Sequence, residues 1–293
     1  MSTSESDAPL AVAIVTRDRP QTFARYALPL IDGVQRAGLP VIVVDQSGDG
    51  ATEQLLEPFR SVRYLRSRMG LSRGRNAALA ATNTPYLVLT DDDVTYEEGW
   101  TDVVLRAFEH EPEAAAICGQ VTNADGQWYS GRRGVRRGPS RTFGLGTGCG
   151  TAFRVDALRR IGGFDEQLGS GTRFRSAEDT DVLYRLLRDG WSVVSTDELQ
   201  VVHHDSLSRS DELRRHHAYG IGAGAQTAKH VGRGDWAAGR AGLRELVAHA
   251  VTAARAIRSG RFQVLLLQVA FVGGLFRGFL TYRYGDRRPA SGP

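Results

Sequence analysis

Tyr86-Leu87-Val88-Leu89-Thr90-Asp91-Asp92-Asp93 is the stretch on which the reading of this chain turns. The apolar run from Tyr86 to Leu89 reads as a buried strand, and it leads into three consecutive carboxylates. Like charges at that spacing raise one another's pKa unless something positive compensates them. A divalent cation does so naturally. Hard oxygen ligands suit Mg2+ or Mn2+, which take one or two carboxylates and complete their shell with phosphate oxygens and water. An acidic turn capping the next helix is the plainer reading, since aspartate favours helix N-termini. The triplet alone leaves both open.

Outward from it, apolar runs recur at strand length. Leu10 to Val15 reads as a strand ending in Thr16-Arg17-Asp18-Arg19-Pro20, with a helix expected over 21–37 that Pro29 would bend or divide. Val41 to Val44 reads as a second buried strand ending on Asp45. A helix near 52–59 and a strand at 62–65 should follow, and Gly70-Leu71-Ser72-Arg73-Gly74-Arg75-Asn76 opens an Ala-rich helix that ends near Thr82. Continuous apolar strands separated by helices predict an α/β fold with a mostly parallel central sheet, covered on both faces. Ligands of such sheets sit beyond the carboxyl ends of the strands, where Asp45 and Asp91 fall. Dinucleotide-binding folds also place an acid after the second strand, but they need a glycine-rich turn after the first, and Thr16–Pro20 has no glycine.

The second half is less regular. Residues 126–150 are rich in Gly and Arg and read as a mobile loop, with Arg132, Arg133, Arg136, Arg137 and Arg141. A helix is expected from Glu178 to Asp189, and strands at Trp191–Val194 and Leu199–Val202 lead to His203-His204. Past His204 the alternation stops, which sets a catalytic domain over 1–207, with a donor half about 10–95 and an acceptor half about 96–207, before a helical extension over 208–293. Within the extension, Leu243, Leu246, Val247, Ala250, Val251, Ala254 and Ile257 share one helical face. Phe262 to Leu280 is strongly apolar but carries Gln263, Gln268 and Arg277, short of the roughly 20 apolar residues of a clean spanning helix. Packing on the core and a peripheral membrane contact through 262–284 both fit.

At 293 residues and 41% hydrophobic, the chain can bury a large core. Its net charge of +4 points to an anionic partner. Cys118 and Cys149 are the only cysteines, too few for a disulfide scaffold or a thiolate zinc site. The polar, acidic start from Met1 to Pro9 does not read as a secretory signal, so a cytoplasmic location is expected, including one peripheral to the inner face of the membrane.

Several ordered motifs resemble the family 2 glycosyltransferases of GT-A fold. They are Val15–Pro20, Val43-Val44-Asp45-Gln46-Ser47-Gly48-Asp49-Gly50, Gly70–Ala77, the aspartate triplet, Gly148-Cys149-Gly150-Thr151-Ala152-Phe153-Arg154, Gly162-Gly163-Phe164-Asp165 and Ala177-Glu178-Asp179-Thr180-Asp181. The resemblance covers roughly residues 10 to 205. It implies an inverting transferase with a UDP- or dTDP-sugar donor, a hydroxyl-bearing acceptor and Mn2+ or Mg2+ as cofactor. Thr16, Arg17, Asp45, Arg75, Asp91 and Asp92 would then meet the nucleotide sugar, with Asp45 accepting the imide N–H of uracil or thymine. Asp91 and Asp93 would be the acids of the Asp-x-Asp motif. Asp179, beside Glu178, would take the proton from the attacking hydroxyl, within hydrogen-bond reach of it.

A histidine after the last strand completes the metal shell in relatives of this fold. Neighbours on an extended segment point to opposite sides, so only one of His203 and His204 can serve; His204 is slightly preferred, and a histidine hydrogen-bonded in a loop fits nearly as well. On the acceptor side the motif contributes Gly148, Cys149 and Gly150. Trp128 and Tyr129 fit either stacking on a sugar or a loop cap packed on the core, and Arg132 and Arg133 fit a lipid-linked diphosphate. A nucleotidyltransferase of related fold would want a basic, glycine-rich loop after the first strand. A basic nucleic-acid or membrane-surface binder would use Arg132 to Arg141, but an acidic cluster at the ligand crevice repels a polyanion, so no nucleic-acid partner is expected.

Overall fold

The structure, a computed structural model, describes residues 8–126, 128–130, 133–138, 142, 145–204 and 208–285. The chain forms two compact units: Met1–Gly138, Thr142–Glu166 and Asp179–Asp205 make one, and Pro139–Arg141, Gln167–Glu178 and Ser206–Pro293 the other.

In the first unit, β1 (Leu10–Thr16) is buried along its whole length, as is β2 (Val41–Asp45). Alternate residues of β1 feed two cores: Ala11, Ala13 and Val15 join one, Leu10, Val12 and Ile14 the other. That is the cause of the unbroken apolar run, since both faces of the strand are covered. Parallel pairing extends to β3 (Val62–Arg66) and β4 (Tyr86–Asp91) in the order β3-β2-β1-β4. Three helices connect them: α1 (Pro20–Arg36), α2 (Ala51–Leu56) and α3 (Leu71–Ala81). Pro29 lies inside α1 without dividing it.

Beyond β4 the pairing turns mixed. Next come β5 (Val94–Tyr96), α4 (Trp100–His110) and β6 (Ala114–Asn123), and the expected loop over 126–150 contains two strands, β7 (Trp128–Ser130) and β8 (Gly134–Arg137). β9 (Thr151–Arg154) enters antiparallel between β4 and β6, followed by α5 (Val155–Arg160) and α6 (Glu178–Arg188). The two short strands expected around 191–202 are one, β10 (Ser192–His203), which carries a register shift between Ser195 and Gln200 where it pairs with β6. β5 pairs antiparallel with its end, matching His203 to Val94. All ten strands thus lie in one sheet.

The second unit holds three helices, α7 (Arg209–Gly232), α8 (Trp236–Arg258) and α9 (Phe262–Gly285). α7 and α9 meet through glycine. A Cβ on Gly220 would stand 2.0 Å from Phe271 O and one on Gly278 1.9 Å from Ile221 O, so the backbones touch where no side chain fits. Leu168, Phe174, Ile221, Ala225, Ala228 and Tyr282 make the unit's buried cluster.

Candidate active site

Sheet register gathers the acids. Thr16 is level with Asp45 across the β1–β2 pair, and Val15 is level with Asp91 across β1–β4. Three carboxyl ends of parallel strands therefore deliver Thr16, Asp45 and Asp91 to one edge. The backbone N–H of His204 donates to Asp93 O at 2.8 Å, which brings the end of β10 against the triplet.

The three aspartates differ in environment. Asp92 is fully buried; it accepts from the Thr16 hydroxyl and forms an ion pair with Arg19. Burial pushes its pKa up to about 6, against the opposing pull of Arg19 and the Thr16 hydroxyl. Asp93 accepts from Arg19 Nη1 at 2.8 Å and has His203 Nε2 3.1 Å from its other oxygen. Burial works against ionisation there too, but His203 and Arg19 together outweigh it and hold the carboxyl below its ordinary value. Asp91 is the most accessible of the three, with Arg75 Nη2 3.5 Å from its Oδ1.

Arg75, on α3, is buried to 2% exposure. Its guanidinium faces the ring of Phe164 at 5.6 Å and occupies the space that a side chain at position 148 would need. It also acts on Asp179: burial drives the Asp179 pKa up, and Arg75 and the Gly148 backbone N–H hold it down, with burial prevailing. One cation thus connects the donor-side acid Asp91 with the candidate base at the start of α6. Glu178, the residue before Asp179, is buried.

Other expected residues land differently. Asp45 is fully buried and already accepts from Ser47 N–H at 2.8 Å and from Tyr64 OH at 2.9 Å, rather than standing open to a base. Arg17 is half-exposed and pairs with its neighbour Asp18 at 3.4 Å. His204, the expected ligand, instead stacks on Tyr26 with ring centroids 4.3 Å apart and places Nε2 2.9 Å from Thr95 Oγ1. His203 is the histidine that faces the acids, because the register shift in β10 sets which of two neighbours turns inward. Cys149 is buried beside Asp91, and the Gly150 carbonyl accepts from Gly119 N–H at 3.0 Å. Trp128 has only its backbone described, in β7 against β6, and Arg132 and Arg141 lie outside the described residues. Arg133 makes a surface contact with Asp197.

Two residues without a role in the sequence reading support the edge. Arg19 compensates Asp92 and Asp93 directly; the signal was an acid surplus facing a basic loop. Gln46 donates to Ser67 Oγ and Arg68 O at 2.7 Å and accepts from Gly70 N–H at 3.2 Å, tying the end of β2 to the loop that launches α3.

The residues fit a divalent cation. Asp93 Oδ1 is buried without an aligned hydrogen bond among the described residues, an acceptor with spare capacity. Ligand atoms of Asp91, Cys149 and His203 lie within 4.8 Å of one another. With no ion beside it, burial pushes the Cys149 thiol far up. Asp91 and His203 of that group, with Asp93 beside His203, offer the oxygen and imidazole donors that a divalent ion accepts.

Comparison with known proteins follows the same line. The sequence model described as Glycosyl transferase family 2 matches residues 12–162. The chain is similar to the pre-mycofactocin glycosyltransferase of Mycobacterium tuberculosis, 27% identical over 211 residues that cover 66% of this chain and 43% of that protein. It therefore spans less than half the length of that relative. It is also similar to the N-acetylglucosaminyl-diphospho-decaprenol L-rhamnosyltransferase of the same organism, 23% identical over 249 residues, 71% of this chain and 80% of the other. Among solved structures, the mannosyltransferase PcManGT of Pyrobaculum calidifontis, in complex with GDP-Man and Mn2+, has a TM-score of 0.61 at 17% identity, covering 92% of this chain and 86% of that one. S. aureus TarS 1-349 has a TM-score of 0.51 at 13% identity, covering 96% and 93%. At these identities the structures share the GT-A-like fold, a central sheet flanked by helices.

Proposed function

Because the chain belongs to glycosyl transferase family 2, we propose that it transfers a sugar from UDP or dTDP to a hydroxyl of a saccharide, a lipid-linked intermediate or a natural product, with Mn2+ as the preferred cation and inversion at the anomeric carbon. The observation that carries this reading is the position of Arg75, 3.5 Å from Asp91 and electrostatically joined to Asp179, which puts acids for the donor and a base for the acceptor around one buried cation.

Asp91, Asp93 and His203 would hold a divalent ion, which when bound would shield the diphosphate and stabilise the charge on the leaving nucleotide. Arg19 neutralises Asp92 and Asp93 until then and is free to turn to phosphate, for which a guanidinium is suited. Asp45 is fully buried and accepts from Ser47 N–H and Tyr64 OH, so an imide N–H of uracil or thymine reaches it once one of those donors gives way. Asp179 takes the proton of the attacking hydroxyl. Burial raises its basicity and Arg75 pulls the other way. A single base acting on the acceptor implies direct displacement and hence inversion.

The test is a panel of UDP-, dTDP-, GDP- and CDP-sugars scored by thermal shift and by nucleotide release, with Mn2+, with Mg2+ and with chelator. A ligand of the folded state raises the melting temperature. Stabilisation by UDP or dTDP that needs Mn2+, together with release that Asp179→Asn removes, is expected. Tight binding of the same nucleotides in chelator would refute the metal assignment, and preference for GDP or CDP the donor assignment.

A further inference from the structure

The second unit carries a feature that the transfer reaction does not use. Along α9, Phe262, Leu266, Val269, Phe276 and Leu280 recur at steps of four, three, seven and four residues and are all exposed, Phe262 at 75%, Val269 at 59% and Phe276 at 53%. On α8, which packs against α9 through the stacked pair His249 and Phe271, Leu243, Val247 and Val251 form a second exposed stripe. Single exposed apolar residues are ordinary, but stripes that repeat along both helices of one hairpin are not.

The opposite face of α9 is committed. Gly274 and Gly278 sit against the backbone of α7 at distances that admit no Cβ, and Phe271 and Leu275 receive Gly220 and Gly224 in return. Phe262–Tyr282 is 21 residues long and apolar enough to cross a membrane by length and composition, with 28% of it buried. Crossing would drag α7 along. That helix buries Gln226, Lys229 and His230 and exposes Arg209 and Arg214, a composition that hydrocarbon does not accept.

Charge selects the partner. From Trp236 to Arg261 the hairpin has Arg240, Arg244, Arg255, Arg258 and Arg261 against one acid, Glu245, and Glu245 is buried. Arg255, Arg258 and Arg261 cluster at the tip between the helices and are exposed, and Arg277 is exposed beside Phe276. An isologous contact with a second copy would bring these arginines toward their own kind. An apolar stripe rimmed by arginine complements an anionic bilayer, in which the stripe enters the acyl boundary and the guanidinium groups stay with the headgroups. We propose that the outer face of the α8–α9 hairpin docks on an anionic membrane surface, with α9 lying in the interface and not spanning it. This rests on the second unit alone and stands apart from the donor assignment.

The experiment is co-sedimentation of the full chain with vesicles of phosphatidylcholine alone or mixed equally with phosphatidylglycerol. Binding to the mixed vesicles at low salt is expected, falling at least tenfold for Val269→Glu/Phe276→Glu and about fivefold for each of Arg255→Gln and Arg258→Gln. Carbonate at high pH should strip the protein from native membranes. A fluorophore on Val269→Cys, which adds no charge, should shift to the blue on the mixed vesicles even if the glutamate pair misfolds. Absence of sedimentation and of that shift would overturn the proposal. So would resistance to carbonate, or a dimer in solution that the glutamate pair converts to monomer, which would make the face a contact between copies.

Discussion

Gly148 and Arg75 share one volume: a Cβ at position 148 would stand 2.2 Å from Arg75 Nη2 and 2.8 Å from its Cζ. The glycine makes room for a buried guanidinium on which Asp91 and Asp179 both depend. Gly148→Ala must displace Arg75 or the turn that carries it, at a cost of about 1–3 kcal/mol, as for other overpacked sites. Turnover should fall with it. Combining Gly148→Ala with Arg75→Ala should cost clearly less than the sum of the two single changes, because the clash disappears with the side chain. Denaturant melts of the four proteins read the coupling, and strict additivity would show that the two residues do not compete for space.

Asp179, as the proposed base, should set the pH dependence. Burial raises its pKa above the ordinary carboxylate value, and a base must be ionised, so activity should rise with pH along a limb that lies above that value. Arg75 pulls in the other direction, hence Arg75→Met should move the limb to higher pH. For stability the sign reverses. A folded state that holds its proton more tightly than the unfolded chain is most stabilised at low pH, and it loses that advantage as pH climbs from the unfolded to the folded pKa. Asp179→Asn, without the charge, should melt at or above the parent temperature near pH 7 while losing roughly 100-fold or more in turnover. A pH–rate profile and melts across pH check both halves.

Arg19 and the proposed divalent ion would compete for Asp93. Arg19 holds Asp93 at 2.8 Å and also binds Asp92, yet nearly half of its side chain is exposed, so its contribution to stability is modest. Arg19→Ala should lower stability by about 1 kcal/mol in chelator and show a larger Mn2+-dependent rise in melting temperature than the parent. Calorimetric titration of Mn2+ into both proteins gives the result directly; unchanged affinity would show that Arg19 does not screen the acids.

The two neighbouring histidines should behave unequally. His203 Nε2 faces Asp93 at 3.1 Å, whereas burial and the neighbouring His203 lower the pKa of His204, which stacks on Tyr26 as a neutral ring. His203→Ala should weaken Mn2+ binding at least tenfold, the scale seen when supporting residues of metal sites are removed. His204→Ala should leave it within a few-fold and cost stability instead.

That pair also marks the limit of what the sequence discloses. The strands β1, β2 and β4 are legible because both of their faces are buried, and Asp45 and the Asp91 triplet follow from where those strands end. Which histidine turns inward depends on the register shift between Ser195 and Gln200, and a slip of one residue exchanges the faces of a strand. β6 opens Ala114-Ala115-Ala116, residues with little strand preference of their own, and its pairing with β9 and β10 fixes it. Over 126–150 the Gly and Arg composition reads as loop, while β7 and β8 are edge additions stabilised by the sheet they join. Arg19 escaped because its partners are some 73 residues away in sequence.

The segment before α6 stores strain. Arg175 and Ala177 both have left-handed backbones, φ 63 and 72, and Ala177 immediately precedes Glu178 and Asp179. For a residue with a Cβ that conformation costs roughly 1–2 kcal/mol, and strained backbone collects at functional sites. The turn is held from within its own unit, where Ser176 Oγ donates to Ala218 O at 2.9 Å and a side chain at Gly222 would collide with Ser176. Ala177→Gly removes the penalty in the folded state but adds freedom to the unfolded chain, so a net gain of up to about 1 kcal/mol is expected. Relief of strain leaves Asp179 with the same neighbours and a looser lead-in. Activity should therefore hold at saturating acceptor or fall a few-fold while the melting temperature rises. A drop in melting temperature would show that the left-handed turn is not under load, and Ala177→Val, whose branched Cβ worsens the clash, should move stability in the opposite direction from glycine.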